Sequence, residues 1–531
     1  MQTNPNSVDS QPAPRLASWL WRPVLIVFLS NACIMTLELV AGRIIAPHVG
    51  VSLYTWTSVI GVVLAGISLG NYIGGRLADR WATPWSRGVR LLGIVFVVSG
   101  LASASVLAID RFDVTAQVQW PLIGEILLLI TALFFLPSTI LGTISPVVVK
   151  LAIQDLSKTG RTVGRIYAAS AVGSIVGTFA TGFFLISWLG THTIVWAVSV
   201  LLLLLGLLLL LSNRWLSALA AVLLVANIAL LGANPEWRQG TCTRETDYFC
   251  ITVKEEERNG DPVRVLILDR LVHSYSSLDD PTQLVYGYEK AYAELTAYQA
   301  NQAVLEDPQD PLRALFIGGG GYTFPRYMEA LYPESELDVI EIDPGVTQIA
   351  HDMLGLDPKT QIISYNEDAR MFLERTPPAS AKGYDLVFGD AFNDYSVPYP
   401  LTTKGFNDRV QAWLADDGLY VVNIIDGAYG RFLRAYVHTM RQTFDHVYLA
   451  PTIDSWQEVS RSTFVVIGAN QPLDVNALTS AVKGDALVRR QLLDDQELDA
   501  LLASGTLVTL TDRYAPVDQM LTPVFRGLTR Q

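Results

Sequence analysis

Apolar residues are concentrated in the first half of the chain, where long stretches such as Val198–Leu211 carry no charged side chain. A helix needs roughly 20 apolar residues in a row to cross the hydrocarbon core of a bilayer. Runs of about that length lie at 23–45, 53–77, 89–109, 121–149, 164–189, 192–212 and 215–233. We therefore predict a multi-spanning α-helical membrane domain of about seven helices at 23–235, preceded by an N-terminal tail at 1–22.

Basic residues fall into every second loop between these runs. They are Arg76, Arg80, Arg87 and Arg90 between the second and third runs, Lys150, Lys158, Arg161 and Arg165 between the fourth and fifth, and Arg214 between the sixth and seventh. Short loops rich in Lys and Arg stay on the cytoplasmic face of a membrane. The pattern predicts a multi-pass protein of the cell membrane, and an odd number of spans puts the C-terminal half on the opposite face. One further span would reverse that placement.

Beyond residue 236 the pattern changes to that of a globular α/β protein. Alternating stretches at 249–254 and 263–268 predict a small antiparallel β-sheet, and a helix is expected at 284–300, so that sheet and linking helix occupy 236–305. Buried-type strands at 314–317, 337–342, 362–365 and 384–390 then alternate with helical stretches. This alternation predicts a Rossmann-like α/β domain of the methyltransferase type at 306–531.

Candidate chemistry follows these later strands. Gly318–Gly321 come directly after the first strand, and Glu341, Asp368 and Asp390 stand at the ends of the next three. The carboxyl ends of parallel strands meet at one edge of a sheet, so all of them are expected to face one crevice. Glycines let a nucleotide approach the backbone, and an acid about 20 residues further on can accept ribose hydroxyls. A single Asp in such a place is more often a helix N-cap, but this combination favours a nucleotide site.

Composition and charge limit the other classes of function. The chain has 531 residues, of which 17% are charged, and a net charge of −13. Without a basic stripe to neutralise phosphates, nucleic acid is not expected as a partner. The six His and three Cys show no metal-ligand spacing, so no metal site is expected. Cys242 and Cys250 are close enough in sequence to form a disulfide in an oxidising compartment, or they are two reduced thiols.

Several segments of the C-terminal half resemble the motifs of spermidine synthase and its relatives, the aminopropyltransferases. They are Leu315–Met328, Val339–Pro344, Glu367–Arg370 and Asp385–Asp390, together with Leu268–His273, the pair Tyr288 and Glu289, and Tyr514–Asp518. The similarity covers roughly residues 245–470. With its apolar first half, the chain is similar to the membrane-fused spermidine synthase-like proteins, for which the lipid bilayer is a partner.

The resemblance implies a role for individual residues. The nucleotide would be held by Gly318, Gly319, Gly320, Glu341, Asp368 and Ala369, the catalytic acid residue would be Asp390, and the acceptor or substrate tail would meet His273, Tyr288, Glu289, Asp394 and Tyr514. No cofactor is bound permanently. The substrate implied is S-adenosylmethionine or its decarboxylated form, with a polyamine as the acceptor, and a homodimer is left open.

The chain also departs from the family pattern. Gly321 stands where the family has an Asp that binds the aminopropyl ammonium, and Glu289 and His273 each replace a Gln. Three interpretations follow: transfer to an amine in polyamine biosynthesis with release of methylthioadenosine, intramolecular cyclising cleavage of the same nucleotide without an acceptor, and a nucleotide-binding transporter or sensor. Asp390 argues against the third, because a sensor needs no base at the reacting carbon.

Overall fold

The structure, a computed structural model, describes residues 23–111, 122–153, 156–234, 237, 240–258, 260–306, 311–375, 383–392, 397–428, 430–478 and 487–527. The described residues form two compact units. The membrane unit is built from the helices up to Thr241 without Pro47–Leu53, and the C-terminal unit comprises Pro47–Leu53 and the chain from Cys242 onward. The two units match the change in hydropathy along the sequence.

Seven helices in the described part of the membrane unit are long and apolar enough to cross a bilayer. They are α1 (Pro23–Val49), α2 (Leu53–Trp81), α3 (Trp85–Arg111), α4 (Ile123–Ala152), α5 (Leu156–Leu189), α6 (Thr191–Leu210) and α7 (Arg214–Gly232). This confirms the predicted domain of long apolar helices, and their crossing of a bilayer stays a prediction. Several helices extend beyond the predicted runs, since polar residues such as Arg80 continue α2 after its apolar stretch has ended. One π-helical turn interrupts α4 at Thr131–Phe135 and another interrupts α5 at Thr181–Leu185.

Glycines bring two pairs of these helices into backbone contact. The glycines that face the neighbouring helix are Gly66, Gly70 and Gly74 on α2 towards α4, and Gly173 and Gly177 on α5 towards α1. A β-carbon at Gly74 would lie 2.6 Å from the carbonyl oxygen of Thr143, and one at Gly177 would lie 2.5 Å from that of Ala32. Small residues stabilise helix pairs in lipid because they allow close van der Waals packing. The α1/α5 and α2/α4 pairs are therefore each tightly packed.

Three contacts pair buried polar groups of α3, α6 and α7. His192 Nε2 lies 3.0 Å from Asp110 Oδ2, the Ser199 hydroxyl donates to the carbonyl of Gly100 at 2.8 Å, and Asn227 Nδ2 donates to Ser199 Oγ at 3.1 Å. Such pairing is required because no water is available inside a bilayer.

The C-terminal unit begins with a four-stranded antiparallel sheet. Its strands are β1 (Arg244–Glu245), β2 (Cys250–Arg258), β3 (Asp261–Leu268) and β4 (Leu271–Ser276), hydrogen-bonded in that order. A disulfide joins Cys242 to Cys250, with their Cα atoms 5.3 Å apart. The predicted small sheet is confirmed.

Helix α8 (Gly287–Glu306) links this sheet to the main domain. The prediction of 284–300 was wrong at both ends. The helix begins three residues later because the Glu289 side chain accepts a hydrogen bond from the backbone N–H of Tyr286 at 3.1 Å, which satisfies a donor just before the helix.

The main domain is a seven-stranded sheet with helices between its strands. The strands are β5 (Arg313–Ile317), β6 (Glu336–Ile340), β7 (Ile363–Tyr365), β8 (Tyr384–Gly389), β9 (Leu414–Asp426), β10 (His446–Pro451) and β11 (Ser462–Ala469). The helices are α9 (Thr323–Leu331), α10 (Pro344–Met353), α11 (Ala369–Arg375), α12 (Lys404–Trp413), α13 (Arg431–Met440), α14 (Leu487–Gln491), α15 (Asp495–Ala503), α16 (Val517–Met520) and α17 (Thr522–Gly527).

The strand order is β7-β6-β5-β8-β9-β11-β10, with β7 through β9 parallel and β11 antiparallel to both of its neighbours. This confirms the Rossmann-like, methyltransferase-type fold class. The strands β5, β6 and β7 follow one another towards one edge of the sheet. The chain then returns to the other side of β5, where β8, β9 and the later strands lie. Ligands of such sheets bind where the order reverses, at the carboxyl ends of β5 and β8. Apolar side chains of the strands and of α8, α9 and α10 form one buried core beneath that point.

Candidate active site

The glycine loop and Asp390 meet at the reversal of strand order. Gly318 directly follows β5 and Asp390 directly follows β8, and the Asp390 N–H donates to the carbonyl of Ile317 at 2.9 Å. Gly318 has a φ of +99°, and a β-carbon there would lie 2.5 Å from the carbonyl oxygen of Asp390. Only glycine fits such a position. The structure thus brings Gly318 and Asp390 to one crevice, as the strand ends predict.

Glu341 fixes the shape of the glycine loop from behind. Its Oε2 accepts hydrogen bonds from the N–H groups of Gly319 at 2.9 Å and Gly320 at 3.3 Å, and its Oε1 accepts from the N–H of Asp343 at 2.9 Å. Burial raises the pKa of the Glu341 carboxyl, and these three amides act against that rise. A carboxylate has about four acceptor positions, so about one remains for a ligand hydroxyl.

Asp368 and Ala369 lie at the far edge of the parallel strands, beyond β7. Asp368 is exposed, and its Oδ1 accepts a hydrogen bond from the N–H of Met371 at 2.9 Å. This is an N-cap of α11, whose first residue is the buried Ala369. One oxygen of Asp368 is therefore used by the helix, and its contact with an adenine amine stays a prediction.

A cleft opens in front of the glycine loop. Its lining includes His273, Ser274, Tyr286, Tyr288, Glu289, Gly318, Gly319, Gly320, Gly321, Asp390, Phe392, Asn423 and Arg461. Predicted residues from the small sheet, from α8 and from two strand ends thus meet in one place. Tyr514 is not among the described residues that line the cleft, and lies 61% exposed in the turn between Thr511 and Tyr514. Asp394 lies outside the described residues.

Asp390 is held by two neighbours in this cleft. Asn423 Nδ2 donates to Asp390 Oδ1 at 2.9 Å, and the Tyr288 hydroxyl also donates to the carboxylate. Burial raises the pKa of Asp390 to about 6, against the effect of both hydrogen bonds. The carboxyl is therefore ionised at neutral pH and can take up a proton when a donor with a suitable pKa is placed against it.

Glu289 is a second acid in the same cleft, with a different protonation state. It is 2% exposed, and burial raises its pKa to about 8, with a further rise from Asp390 and an opposing effect of the backbone hydrogen bond from Tyr286. At neutral pH Glu289 is mostly protonated while Asp390 is mostly ionised. Two nearby carboxyl groups with separated pKa values are the usual arrangement for one base and one neutral group.

His273 adds an uncharged nitrogen to the cleft wall. Burial lowers the pKa of His273 to about 4, so the imidazole is neutral at neutral pH. Its Nε2 atom is buried and has no hydrogen-bond partner among the residues that the structure describes. A buried polar atom without a partner is costly unless a ligand or water satisfies it.

Gly321 stands where the neighbouring strand leaves no room for a side chain. A β-carbon at this residue would overlap the Ser274 hydroxyl and would lie 3.0 Å from that of Ser276. Ser276 Oγ is in turn 2.8 Å from Thr323 Oγ1. This side of the cleft is therefore lined by neutral hydroxyls and not by the carboxylate that the resemblance implies for the family.

No family model matches the chain. The polyamine aminopropyltransferase of Vibrio vulnificus is 35% identical over 143 residues, which cover 26% of this chain and 45% of that protein. The probable polyamine aminopropyl transferase of Bifidobacterium longum is 28% identical over 25% of this chain and 28% of its own length. The chain thus spans less than half of the length of these two relatives.

A longer match is the polyamine aminopropyltransferase 1 of Ralstonia nicotianae, 22% identical over 468 residues and 79% of each chain. That alignment is longer than the whole C-terminal unit, so it extends into the membrane unit. The chain is spermidine synthase-like. Among solved structures, the probable spermidine synthase from Corynebacterium glutamicum has a TM-score of 0.41 and 20% identity, covering 49% of this chain and 93% of that one.

Several residues of this cleft were not predicted from the sequence, and three of them carry polar side chains that bear on the site. They are Asn423, Arg461 and Ser274. Asn423 is the only polar residue of the stretch 421–425, which offers a signal, because a polar residue in a buried central strand needs a partner. Arg461 and Ser274 stand at or near the ends of strands of mixed composition and offer no such signal.

Proposed function

We propose that the chain is a membrane-bound enzyme that transfers the aminopropyl group of decarboxylated S-adenosylmethionine to an amine acceptor, in polyamine biosynthesis. The observation that carries the proposal is the position of the Asp390 carboxylate at the reversal of strand order, beside Gly318 and within one cleft with Tyr288 and Glu289. The similarity to polyamine aminopropyltransferases supports the same reaction class.

The reaction requires little acid catalysis and much positioning. The nitrogen lone pair of the acceptor attacks the carbon next to the sulfonium sulfur, the C–S bond breaks, and its electron pair leaves on neutral methylthioadenosine. Because a sulfonium is already a good leaving group, the protein has to align the two reactants and remove a proton from the amine. Asp390, ionised above about pH 6, is the base in this proposal.

The other predicted residues divide between the two halves of the substrate site. In the proposal the nucleotide is held by Gly318, Gly319, Gly320, Glu341, Asp368 and Ala369, and the substrate tail and acceptor meet His273, Tyr288, Glu289 and Asp394. Tyr514 is left out of this set, because it does not line the described cleft. The Glu341 carboxylate receives a ribose hydroxyl at its remaining acceptor position. Protonated Glu289 can donate a hydrogen bond to an acceptor nitrogen, which a carboxylate cannot do.

Methylthioadenosine release by the purified full-length protein tests the proposal. Either sulfonium nucleotide is supplied, with and without putrescine, and release is followed by chromatography. We expect release that depends on the amine, and its loss in Asp390→Asn, with methylthioadenosine binding kept within a few-fold. The asparagine keeps the shape of the side chain and removes the base. Full activity of Asp390→Asn would overturn the assignment of the base.

Cyclising cleavage is a second candidate, and Gly321 is the observation that favours it. The space beside this residue is filled by Ser274 and Ser276 hydroxyls, so no carboxylate holds a tail ammonium there. A tail that is not held extended can fold back, and its own amine or carboxylate can attack the carbon next to sulfur. Amine-independent release of methylthioadenosine with a cyclic co-product would establish this reaction. Nucleotide binding without any release would instead indicate a sensor or transporter.

A further inference from the structure

The membrane unit contains a cavity of about 500 Å³ between α1, α2, α4 and α5. Its described polar lining consists of Asn31, Asn71, Ser145, Tyr167, Ser170 and the ion pair of Asp79 and Lys150. Apolar side chains such as Ile34, Ile67 and Val149 cover the rest of the wall. Ligand sites typically have about 300–1,000 Å³ and a mostly apolar wall with a few polar groups, so the cavity has the size and the composition of a site.

The cavity follows from how the four helices are paired. Glycines hold α1 against α5 and α2 against α4 at backbone contact, as described above, and the cavity lies between the two pairs. A β-carbon at Gly142 on α4, one of the lining residues, would lie 2.8 Å from the carbonyl oxygen of Ile67 on α2. Within each pair the helices are already in contact, so neither can shift alone to fill the space.

Polar side chains line this cavity far from the helix ends, towards the middle of the helices. Asn71 precedes Asp79 by eight residues on the same helical face, which corresponds to about 12 Å along α2. The Asn71 side chain is exposed, and it makes no hydrogen bond with any described residue. Exposure of an amide to hydrocarbon is strongly disfavoured, so a polar side chain at this depth indicates a cavity filled by water or by a polar ligand.

The charges in the cavity decide which ligand fits. Asp79 and Lys150 lie at the helix ends and pair with each other at 2.8 Å, with 75% and 48% of their side chains exposed. Below this pair, the described lining carries amides and hydroxyls but no acid. A polyamine or a sulfonium cation would thus meet no counter-charge there, and a buried unpaired charge is strongly disfavoured.

We propose that this cavity binds an uncharged nucleoside, with the base against the apolar wall and its polar edge at Asn31 and Asn71. Asn presents a donor and an acceptor side by side, which matches the edge of an adenine. Asn31 Nδ2 donates one of its two N–H groups to the carbonyl of Val27 at 2.9 Å, which leaves its second N–H and its Oδ1 for a ligand. Methylthioadenosine is such a molecule and is neutral. Its choice as the ligand rests on the proposed function, whereas the cavity and the absence of an acid from its described lining below the Asp79–Lys150 pair do not.

Cysteine accessibility in the full-length protein tests this site. Ser145→Cys and, independently, Ser170→Cys are made in a Cys33→Ala and Asp390→Asn background, which has no other free thiol and no turnover. The matched control is Ser68→Cys, on the exposed face of α2 and outside the cavity lining. Reconstituted protein is treated with an uncharged, water-soluble methanethiosulfonate reagent without reductant, so that the Cys242–Cys250 disulfide stays closed.

We expect both cavity cysteines to react faster than the control, because the control faces lipid. Methylthioadenosine at about ten times its Kd should slow their modification about ten-fold, since only the unliganded protein reacts. Spermidine should leave the rate unchanged. The proposal would be overturned if the cavity cysteines reacted as slowly as the control. It would also be overturned if methylthioadenosine gave no protection, or if spermidine protected instead. No sulfonium nucleotide is present in this assay, so protection does not depend on the reaction proposed for the cleft, and either can fail alone.

Discussion

Asn423 Nδ2 donates a hydrogen bond of 2.9 Å to Asp390 Oδ1. Asn423 lies in β9 and Asp390 directly follows the neighbouring parallel strand β8, so the contact exists only because the sheet places these strands side by side. It opposes the effect of burial, which raises the pKa of Asp390 to about 6. Asn423 thereby keeps the carboxylate ionised at a lower pH than burial alone would allow.

Replacing Asn423 should move the acid limb of the pH–rate profile. If ionised Asp390 is the base, activity falls as the pH drops through its pKa. Asn423→Leu removes a hydrogen bond to a charged group, worth roughly 1.5–3 kcal/mol, and should shift the limb upward by about one to two pH units. Asn423→Asp should shift it in the same direction, because a second negative charge also disfavours ionisation. Profiles of methylthioadenosine release check this, and an unmoved acid limb in both variants would contradict the role of Asn423.

The difference between Asn423 and Asp390 shows what the sequence can and cannot predict. Asp390 was predicted because an acid directly after a buried strand must lie at the edge of a parallel sheet, whatever the strand order. Asn423 lies in the middle of a strand, and its partner depends on which strand is adjacent. The position of Asp390 follows from the sequence directly around it. The same holds for the seven described apolar helices, because the length of an apolar run is also a local property of the sequence.

Local chemistry also explains where the sequence predictions were less exact. The predicted start of α8 was too early. The apolar pattern already begins before Gly287, whereas the helix starts there because the Glu289 side chain caps its N-terminus. The sequence around Asp368 fits both a helix N-cap and a ligand-binding residue. The hydrogen bond from the Met371 N–H shows that Asp368 is an N-cap, which the sequence alone could not decide. Tyr514 was assigned to the acceptor groove by resemblance alone, and the turn that contains it lies at the surface.

Glu289→Gln should change how the stability of the C-terminal unit depends on pH. Because the folded-state pKa of Glu289 is about 8, above its usual 4.5, the folded protein binds a proton that the unfolded chain has lost between these pH values. Wild-type stability therefore falls as the pH rises through this window. The neutral glutamine removes this dependence and keeps an oxygen that can accept from Tyr286.

Thermal unfolding in detergent, followed at several pH values, measures that difference. The unfolding temperature of Glu289→Gln should be similar to that of the wild type at about pH 5 and higher at about pH 9, because only the wild type then buries a charge. The control is Glu334→Gln, at an exposed position. A difference that is constant across this range, or equal in the control, would show that Glu289 does not bind a proton on folding.

A side chain at Gly321 should be tolerated only if Ser274 is shortened. Gly321→Ala places a methyl group onto the Ser274 side chain, and such overpacking costs about 1–3 kcal/mol, or a few degrees in unfolding temperature. Ser274→Gly should restore most of the loss, whereas Ser274→Ala should not, because its β-carbon would still lie 2.9 Å from the new methyl group. Equal recovery of the unfolding temperature by Ser274→Gly and Ser274→Ala would show that only the Ser274 hydroxyl, and not its β-carbon, excludes a side chain at Gly321.

The side of the membrane on which the C-terminal unit lies can be tested through its two cysteines. Cys242 and Cys250 form a disulfide, and such bonds persist in oxidising compartments and not in the cytosol. Basic residues in the loops between α2 and α3, α4 and α5, and α6 and α7 indicate that those loops are cytoplasmic. With seven helices before it, the C-terminal unit is then expected on the outer face.

Intact cells that express Cys33→Ala, which leaves only Cys242 and Cys250, should show this placement. After mild reduction, a membrane-impermeant thiol reagent should label the protein in intact cells as strongly as after lysis, and without reduction it should label neither sample. A variant with both Cys242→Ser and Cys250→Ser serves as the unlabelled control. Labelling that requires lysis would place the unit in the cytoplasm.

In that case the disulfide would not form in the cell, and the number of spans would have to be even. The first place to seek the additional crossing is α4, where Pro137 and Pro146 interrupt the regular pattern of backbone donors.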